Sequence, residues 1–565
     1  VSTATGGTAG DWDAIVVGSG IGGLVCAGYL VAAGRRVLVL EQHDVAGGNS
    51  HVFRRRRAYE FDVGVHYLGD CGPGGLLPSI LGGLGLGERV RFHPMDPDGF
   101  DRIVLPSVTV DVPVGWPRYL DRLRQALPAE AEGLTRYIEI CEAVARTCRT
   151  NATSAPGGKL PAVMLRWSRR TLTQLFDHCG LSARARTVLA AQSGNYGSAP
   201  ASTLVVAHTM MIDDYLRGAY YPEGGGQTVA AALVELLESH GGTLLTKTRV
   251  GRVLVEHGRV AGVELTDGTE FRAPVVVSNA DYRRTVLELC GGNENLPDAV
   301  VDRARDARMR LPTAVCYVAL DRELPEQPNS NIWYWPNEDV EGAYARVEAG
   351  DLDELPFAFL SFASIKDPVP GSCCPPGHTN FQIMTACPPG YRHWGLDEGP
   401  ARGARYRRDE AYLAAKNRLT DQMLDLAEAA IGPFREHLVH LETSTPVTQE
   451  RYTLSTGGSA YGLQSWGRTG QRPDVRTGIE GLFLTGQNIH HGGGIVGVAT
   501  SGAACASAIL DRAVLPEVCR GAIYGNPELL PDRGADWDPL RVSRGAKRRD
   551  ARGLAKLDHV APAGS

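Results

Sequence analysis

The residues best placed to do chemistry at a fixed spacing are a set of glycines and one acid near the start of the chain. Gly18-Ser19-Gly20-Ile21-Gly22-Gly23 follows directly on the apolar run Ala14–Val17 and leads into Leu24–Ala33, which closes at Gly34. Arg36–Leu40 is a second, mostly apolar run, and Glu41 stands at its end. This order predicts strand, turn, helix, strand and terminal acid, a unit that binds the ADP half of a dinucleotide. Gly18 permits the tight turn, Gly20 lets the backbone approach a pyrophosphate, and Gly23 lets helix and strand pack closely. Ile21 and Gly22 open the helix, whose free N–H groups and positive dipole end receive phosphate. Glu41, 18 residues beyond Gly23, accepts hydrogen bonds from ribose hydroxyls, and an acid there argues against a 2′-phosphate.

Three residues after Glu41 comes Val45-Ala46-Gly47-Gly48-Asn49, and Arg54–Phe61 reads as a basic hairpin. A second glycine pair so close behind the ribose acid resembles the two-dinucleotide-binding-domain flavoproteins, the group that holds amine oxidases and carotenoid desaturases. The resemblance implies FAD, with Gly47, Gly48 and Asn49 along the extended cofactor. The far end of the chain supplies the complement. Gly481–Gly486 reads as a strand running into a turn, Gln487-Asn488-Ile489-His490-His491 follows, and Gly492–Gly497 opens a helix to Leu510. The start of that helix, at Ile495 and Val496, suits the flavin N1–C2 edge, where negative charge gathers on reduction. Gly492, Gly494 and Gly497 repeat the GxGxxG spacing, but no strand with a terminal acid follows, only Asp511, so a second nucleotide site is rejected.

Further islands sharpen the resemblance. Glu60–Gly69, Asn195-Tyr196-Gly197 with His208, Tyr215–Gly225, Thr445–Thr448 leading to Gly457–Leu463, and Leu484-Thr485-Gly486-Gln487 are similar to the retinol saturase branch of the phytoene desaturase and carotenoid isomerase family. The likeness spans about residues 13 to 510 and is faint from about 310 to 440. Asn488 stands where the family usually has an acid, and Asn49-Ser50 replaces small or basic residues, which blurs the subfamily. In similar proteins the backbone at a position like Val250 meets the adenine, and Asn279 ends a strand beside the cofactor. The family implies a long, apolar, conjugated polyene, carotenoid-like, retinoid-like or a polyketide, whose C=C bond is reduced or desaturated by hydride transfer at flavin N5. Candidates for proton transfer, all inside the matching islands, are His66, Tyr67, Tyr196, His208 and Tyr221. The alternatives are a redox-neutral polyene isomerase, a flavin-dependent polyene cyclase of tetramate macrolactam type in bacterial secondary metabolism, and a flavin-free lipid-binding escort protein. Amine oxidation is disfavoured, because Tyr461 and Trp466 are the nearest aromatics to the final motif and do not align with that group.

Around these motifs the chain reads as α/β: a Rossmann-like FAD flavoprotein with an interleaved α+β substrate lobe. The expected FAD pieces are 12–115, 218–310 and 440–512, with 116–217 and 311–439 as the substrate lobe and 513–565 as an extension with a basic tail. The 565 residues, 43% hydrophobic and 22% charged, carry a net charge of −6, which leaves no footprint for nucleic acid. Twelve scattered cysteines without CxxC spacing, and no HxxxH or HExxH pattern, give neither a disulfide framework nor a metal site. A reducing, cytoplasmic setting follows, and the leading Val1 suits a GTG start codon and a bacterial gene. The basic run Arg541–Lys556 reads as a solvated tail, with peripheral contact to anionic lipid as the alternative. Ala14–Gly34 and Gly492–Leu510 are uncharged enough to mimic membrane spans, but their small residues predict buried packing elements instead. The electron donor or acceptor leaves no mark in the sequence.

Overall fold

The computed structural model describes residues 12–153, 161–324, 328–403, 405–464 and 472–547. Short runs that are mostly apolar along their length, rather than at alternate positions, become strands buried on both faces of a parallel sheet. These are β1 (Ala14–Val17), β2 (Val37–Leu40), β3 (Thr243–Thr246), β4 (Val276–Ser278) and β5 (Leu482–Leu484), joined at the edge by β6 (Ala546–Lys547). The spatial order is β5-β4-β1-β2-β3-β6, with every pairing parallel. Ile15 on β1 lies opposite Val276 on one side and Leu38 on the other. β6 comes from the expected C-terminal extension, which therefore returns to the sheet; Arg548, Arg549, Arg552 and Lys556 of the basic run lie outside the described residues, as do residues 1–11 and Trp466.

Three helices cover this sheet: α1 (Ile21–Ala32), α2 (Gln227–Ser239) and α3 (Ile495–Leu510). α1 and α3 are the cores of the two span-like stretches, and they pack on each other. A Cβ at Gly502 would lie 2.4 Å from the Gly22 carbonyl oxygen and 2.8 Å from the Val25 Cβ. One at Gly22 would lie 3.0 Å from Gly486 Cα and from the Val498 carbonyl oxygen. Backbone against backbone is the reason these stretches are small rather than bulky. No helix among the described residues is long and apolar enough to cross a membrane.

A second, seven-stranded mixed sheet runs in the order Leu438–Ser444, Thr313–Leu320, Thr379–Ala386, Ala358–Ser361, Asn331–Tyr334, Asp101–Leu105, Val108–Val112. Two expected boundaries shift here. The hairpin Asp101–Val112, read with the nucleotide segments, hydrogen-bonds into this sheet, where Ile103 pairs with Trp333. Leu438–Ser444 likewise pairs with Thr313–Leu320, carrying the second sheet past residue 440. Both pairings have one cause: an alternating strand does not announce which sheet it joins. Helices between residues 116 and 216 pack on this sheet in a core of their own. Valine at Gly502 should therefore lower stability by about 1–3 kcal/mol through overpacking against the α1 backbone, measured as a fall in the thermal midpoint. An unchanged midpoint would contradict the close packing of α1 and α3.

Candidate active site

One cavity of about 820 Å³ runs from the C-terminal ends of β1 and β2 to the inner face of the second sheet. Of the expected cofactor residues, Gly18, Gly20, Ile21, Gly22, Glu41, Gly47, Gly48, Asn49, Val250, Asn279, Gly486, Asn488, Ile495 and Val496 all line it. Gly23 does not line it. A Cβ there would sit 2.4 Å from the Gly18 carbonyl oxygen, so its place is the close contact of turn and helix. The glycine motifs meet directly: Gly47 N–H donates to the Ser19 carbonyl at 2.9 Å, and Gly48, at φ +57°, would put a Cβ 3.1 Å from Gly20 Cα. Asn279 ties β4 to the first turn, its N–H donating to the Val17 carbonyl at 2.9 Å, and a Cβ on Gly486 would lie 2.4 Å from its Oδ1. Asn488 Oδ1 accepts from Leu463 N–H at 3.1 Å, holding the 459–463 loop over the cavity. Glu41 accepts from Ser19 N–H at 2.9 Å, Ser19 Oγ–H at 2.7 Å and His43 N–H at 2.7 Å, which fixes the carboxylate at the rim. Ser19, inside the motif yet not singled out by it, sets that orientation.

The proton-transfer candidates divide. His66, Tyr67 and Tyr196 line the cavity, whereas His208 and Tyr221 do not. The phase of the helix Val205–Leu216 explains His208. Val205, His208, Thr209 and Ile212 face the lobe core, while Val206, Met210 and Met211, about 100° round, face the cavity. His208 is instead a clamp, with Nε2 2.6 Å from the Tyr137 hydroxyl and Nδ1 3.1 Å from that of Tyr196. Burial pulls its pKa down to about 3, so it is a neutral ring taking one of these hydrogen bonds and giving the other. Tyr221 donates to the buried Asp62 carboxylate. His66 exposes a ring to the cavity but leaves its buried Nδ1 without a partner, and burial together with the Lys366 charge lowers its pKa to about 3. Tyr67 stacks on Tyr215 at 4.2 Å, donates to Asp101 Oδ2 at 2.9 Å and accepts from Asn195 Nδ2 at 2.7 Å.

Behind Tyr67 lies a network that the motifs did not announce. Asp101, fully buried, also accepts from Asn331 Nδ2 at 2.9 Å and from Gln192. Asn331 Oδ1 in turn accepts from the buried Lys366 ammonium at 3.0 Å, and Lys366 further donates to Ser361 Oγ and to the His66 carbonyl. Burial lifts Asp101 to about 6 and depresses Lys366 to about 7. Lys366 and Asn331 lie in the stretch where family likeness is faint, so no spacing could flag them. Among the described residues no cluster of His, Cys, Asp and Glu is arranged to hold a metal ion.

A parallel sheet with a glycine turn, a ribose acid and a returning C-terminal helix, joined by one cavity to a second sheet, defines a dinucleotide-dependent oxidoreductase of the flavoprotein type. The chain belongs to the flavin containing amine oxidoreductase family, whose model matches residues 21–344. It is similar to the all-trans-retinol 13,14-reductase of Macaca fascicularis, 28% identical over 543 residues, covering 88% of this chain and 86% of that protein. It is also similar to prolycopene isomerase 2 of an Oncidium hybrid cultivar, 28% identical over 522 residues and covering 88% and 83%. In fold it resembles an oxidoreductase from Methanosarcina mazei at a TM-score of 0.59 and 17% identity, covering 88% of this chain and 100% of that one. Putrescine oxidase bound to putrescine gives a TM-score of 0.59 at 14% identity, covering 89% and 99%. The cofactor is FAD, and the cavity fits it. Its nucleotide end is a trench where added Cβ atoms at Gly20 and Gly48 would collide with Asn279 and Gly20, and it ends at the Glu41 carboxylate. Replacing Glu41 by Ala should weaken FAD retention by about 1–3 kcal/mol, read as a raised Kd in cofactor titration. An unaltered Kd would remove Glu41 from the nucleotide site.

Proposed function

We propose that the chain is an FAD-dependent oxidoreductase acting on a C=C bond of a long conjugated polyene, with Tyr67 handling the proton. The observation carrying this reading is the second half of the cavity. Beyond the glycine trench its walls are Met210, Met211, Trp333, Phe357, Phe359 and Met384, a slot suited to a flat apolar chain. The similarity to a retinol reductase and a prolycopene isomerase, both named for polyene substrates, supports the same class. Bound FAD supplies hydride chemistry at its N5, and the protein's part is position, dryness and the proton. Tyr67 is suited to that last task because its hydroxyl joins the cavity to Asp101. With Asp101 protonated, the carboxylic acid donates to the Tyr67 oxygen, and the phenolic hydrogen turns toward the substrate. His66, held neutral, and His208, turned away, are poorer donors. Asp101 loses that proton as pH rises through about 6, so reduction of the polyene by pre-reduced flavin, where limited by this step, slows above that pH.

The test is anaerobic reduction of the flavin followed by a panel of polyenes that includes all-trans-retinol. Saturation gives reoxidised flavin and a product two mass units heavier, whereas oxidised enzyme giving a lighter product marks desaturation. Unchanged mass with a shifted spectrum marks isomerisation or cyclisation. Tyr67→Phe should slow turnover by about 10²–10⁴-fold while FAD content is kept. Full activity in that variant would move the proton role elsewhere. Purified protein without absorbance near ~450 nm after FAD addition would end the enzyme reading.

A further inference from the structure

A buried charged group on the cavity wall has no counter-charge among the described residues. Arg310 lines the cavity just ahead of the strand Thr313–Leu320, anchored by its backbone N–H on the Gly462 carbonyl at 2.9 Å. Its Nε is buried with no hydrogen-bond partner, and among the described residues its guanidinium forms no ion pair. The titratable groups that act on it electrostatically are Tyr196, Tyr461 and a second buried cation, Arg472. Arg472 differs in donating through its terminal nitrogens to the carbonyls of Gln487 and Leu463, although its Nε too is without a partner.

The acids lining the same cavity are already engaged. Glu41 accepts from Ser19 and His43, Asp281 from Thr456, Asp214 pairs with Arg217, and Glu288 pairs with Arg284. Burial lowers the Arg310 pKa to about 10, which still leaves the guanidinium charged at neutral pH. A buried guanidinium without an anion is costly, and five N–H donors in a planar fork match the two oxygens of a carboxylate. The nucleotide has its own anion site in the backbone N–H groups at the start of α1, whereas Arg310 enters from the segment that begins the second sheet, beside Tyr196.

We infer that the ligand of this cavity is an apolar chain ending in an anionic oxygen group, a carboxylate or enolate, that pairs with Arg310. The inference rests on the polyene reading above and narrows it. An alcohol such as retinol, or a hydrocarbon, would leave Arg310 without a counter-charge. Tyr196, whose hydroxyl His208 holds, and Tyr461 line the same cavity.

The test is a binding titration of the oxidised holoenzyme at pH 8 with three probes: all-trans-retinoic acid, all-trans-retinol and palmitate. Retinoate should bind about tenfold or more tightly than retinol, the ratio expected from one charge-assisted pair. Arg310→Gln should bring the two within about twofold while FAD content and flavin spectrum stay as in the parent. If the Gln variant does not fold, Arg310→Lys serves: it should weaken retinoate severalfold and leave retinol unchanged, and an equal effect on both would overturn the inference. Equal binding of acid and alcohol by the parent would overturn it and leave the polyene reading standing. A Gln variant that keeps its preference for the acid but alters the flavin spectrum would also overturn it, assigning Arg310 to the cofactor. Palmitate binding that depends on Arg310, with neither retinoid bound, would uphold the anionic head group and overturn the polyene.

Discussion

The structure depends on one constraint: several backbone segments distant in sequence must come within contact distance around the nucleotide trench. Gly20 meets Gly48, Gly22 meets Gly486 and the carbonyl of Val498, and Gly502 meets the carbonyl of Gly22. Each contact leaves no room for a side chain, and each joins a piece of chain that nothing local holds. The parallel sheet answers the same need. β1, β4 and β5 come from three separate stretches, and their adjacent C-terminal ends bring Gly18, Asn279 and Gly486 together. The interleaved chain is thus a consequence of the site, since the second sheet is inserted between segments that must meet around one cofactor.

What the sequence made legible follows from this. Gly18, Gly20, Gly23 and Glu41 could be assigned because their tasks are local: a turn, a close approach, a helix contact and an acid at a strand end. Even the distinction of Gly23, which packs while its neighbours line the cavity, lies in the spacing. His208 could not be assigned in the same way. Its helix is apolar on two faces, Val205 and Ile212 on one and Val206 and Met210 on the other, so periodicity gives no polar face to set the phase. Tyr196 and His208 both fall in matching islands, yet one lines the cavity and the other holds it from behind. The hairpin Asp101–Val112 and the residues Arg310, Asn331 and Lys366 were invisible for a different reason. Their meaning arises only when the second sheet pairs, and no motif encodes that pairing.

The buried electrolytes beneath the cavity show how the second sheet does more than enclose an apolar slot. Asp62, Asp101 and Lys366 are each costly to bury, and desolvation outweighs their mutual attraction, lifting both acids to about 6 and lowering the lysine to about 7. Asn331 separates cation from anion, accepting from Lys366 and donating to Asp101, so the charges are coupled without touching. A hydrophobic replacement of that volume would cost less. What it would lose is direction. Lys366 pins the carbonyl of His66, and Asp101 fixes the hydroxyl of the adjoining Tyr67, so both cavity-lining side chains sit on a strap fastened to strands of the second sheet. The same sheet begins just after Arg310. One rigid element therefore sets the position of the cation that would receive a ligand's head group and of the hydroxyl that would serve its chain. Both stand in loops that the second sheet holds, Arg310 three residues ahead of Thr313 and Tyr67 through its hydrogen bond to Asp101, the anchoring a site needs when the reacting bond lies at a set distance from the group that binds the ligand.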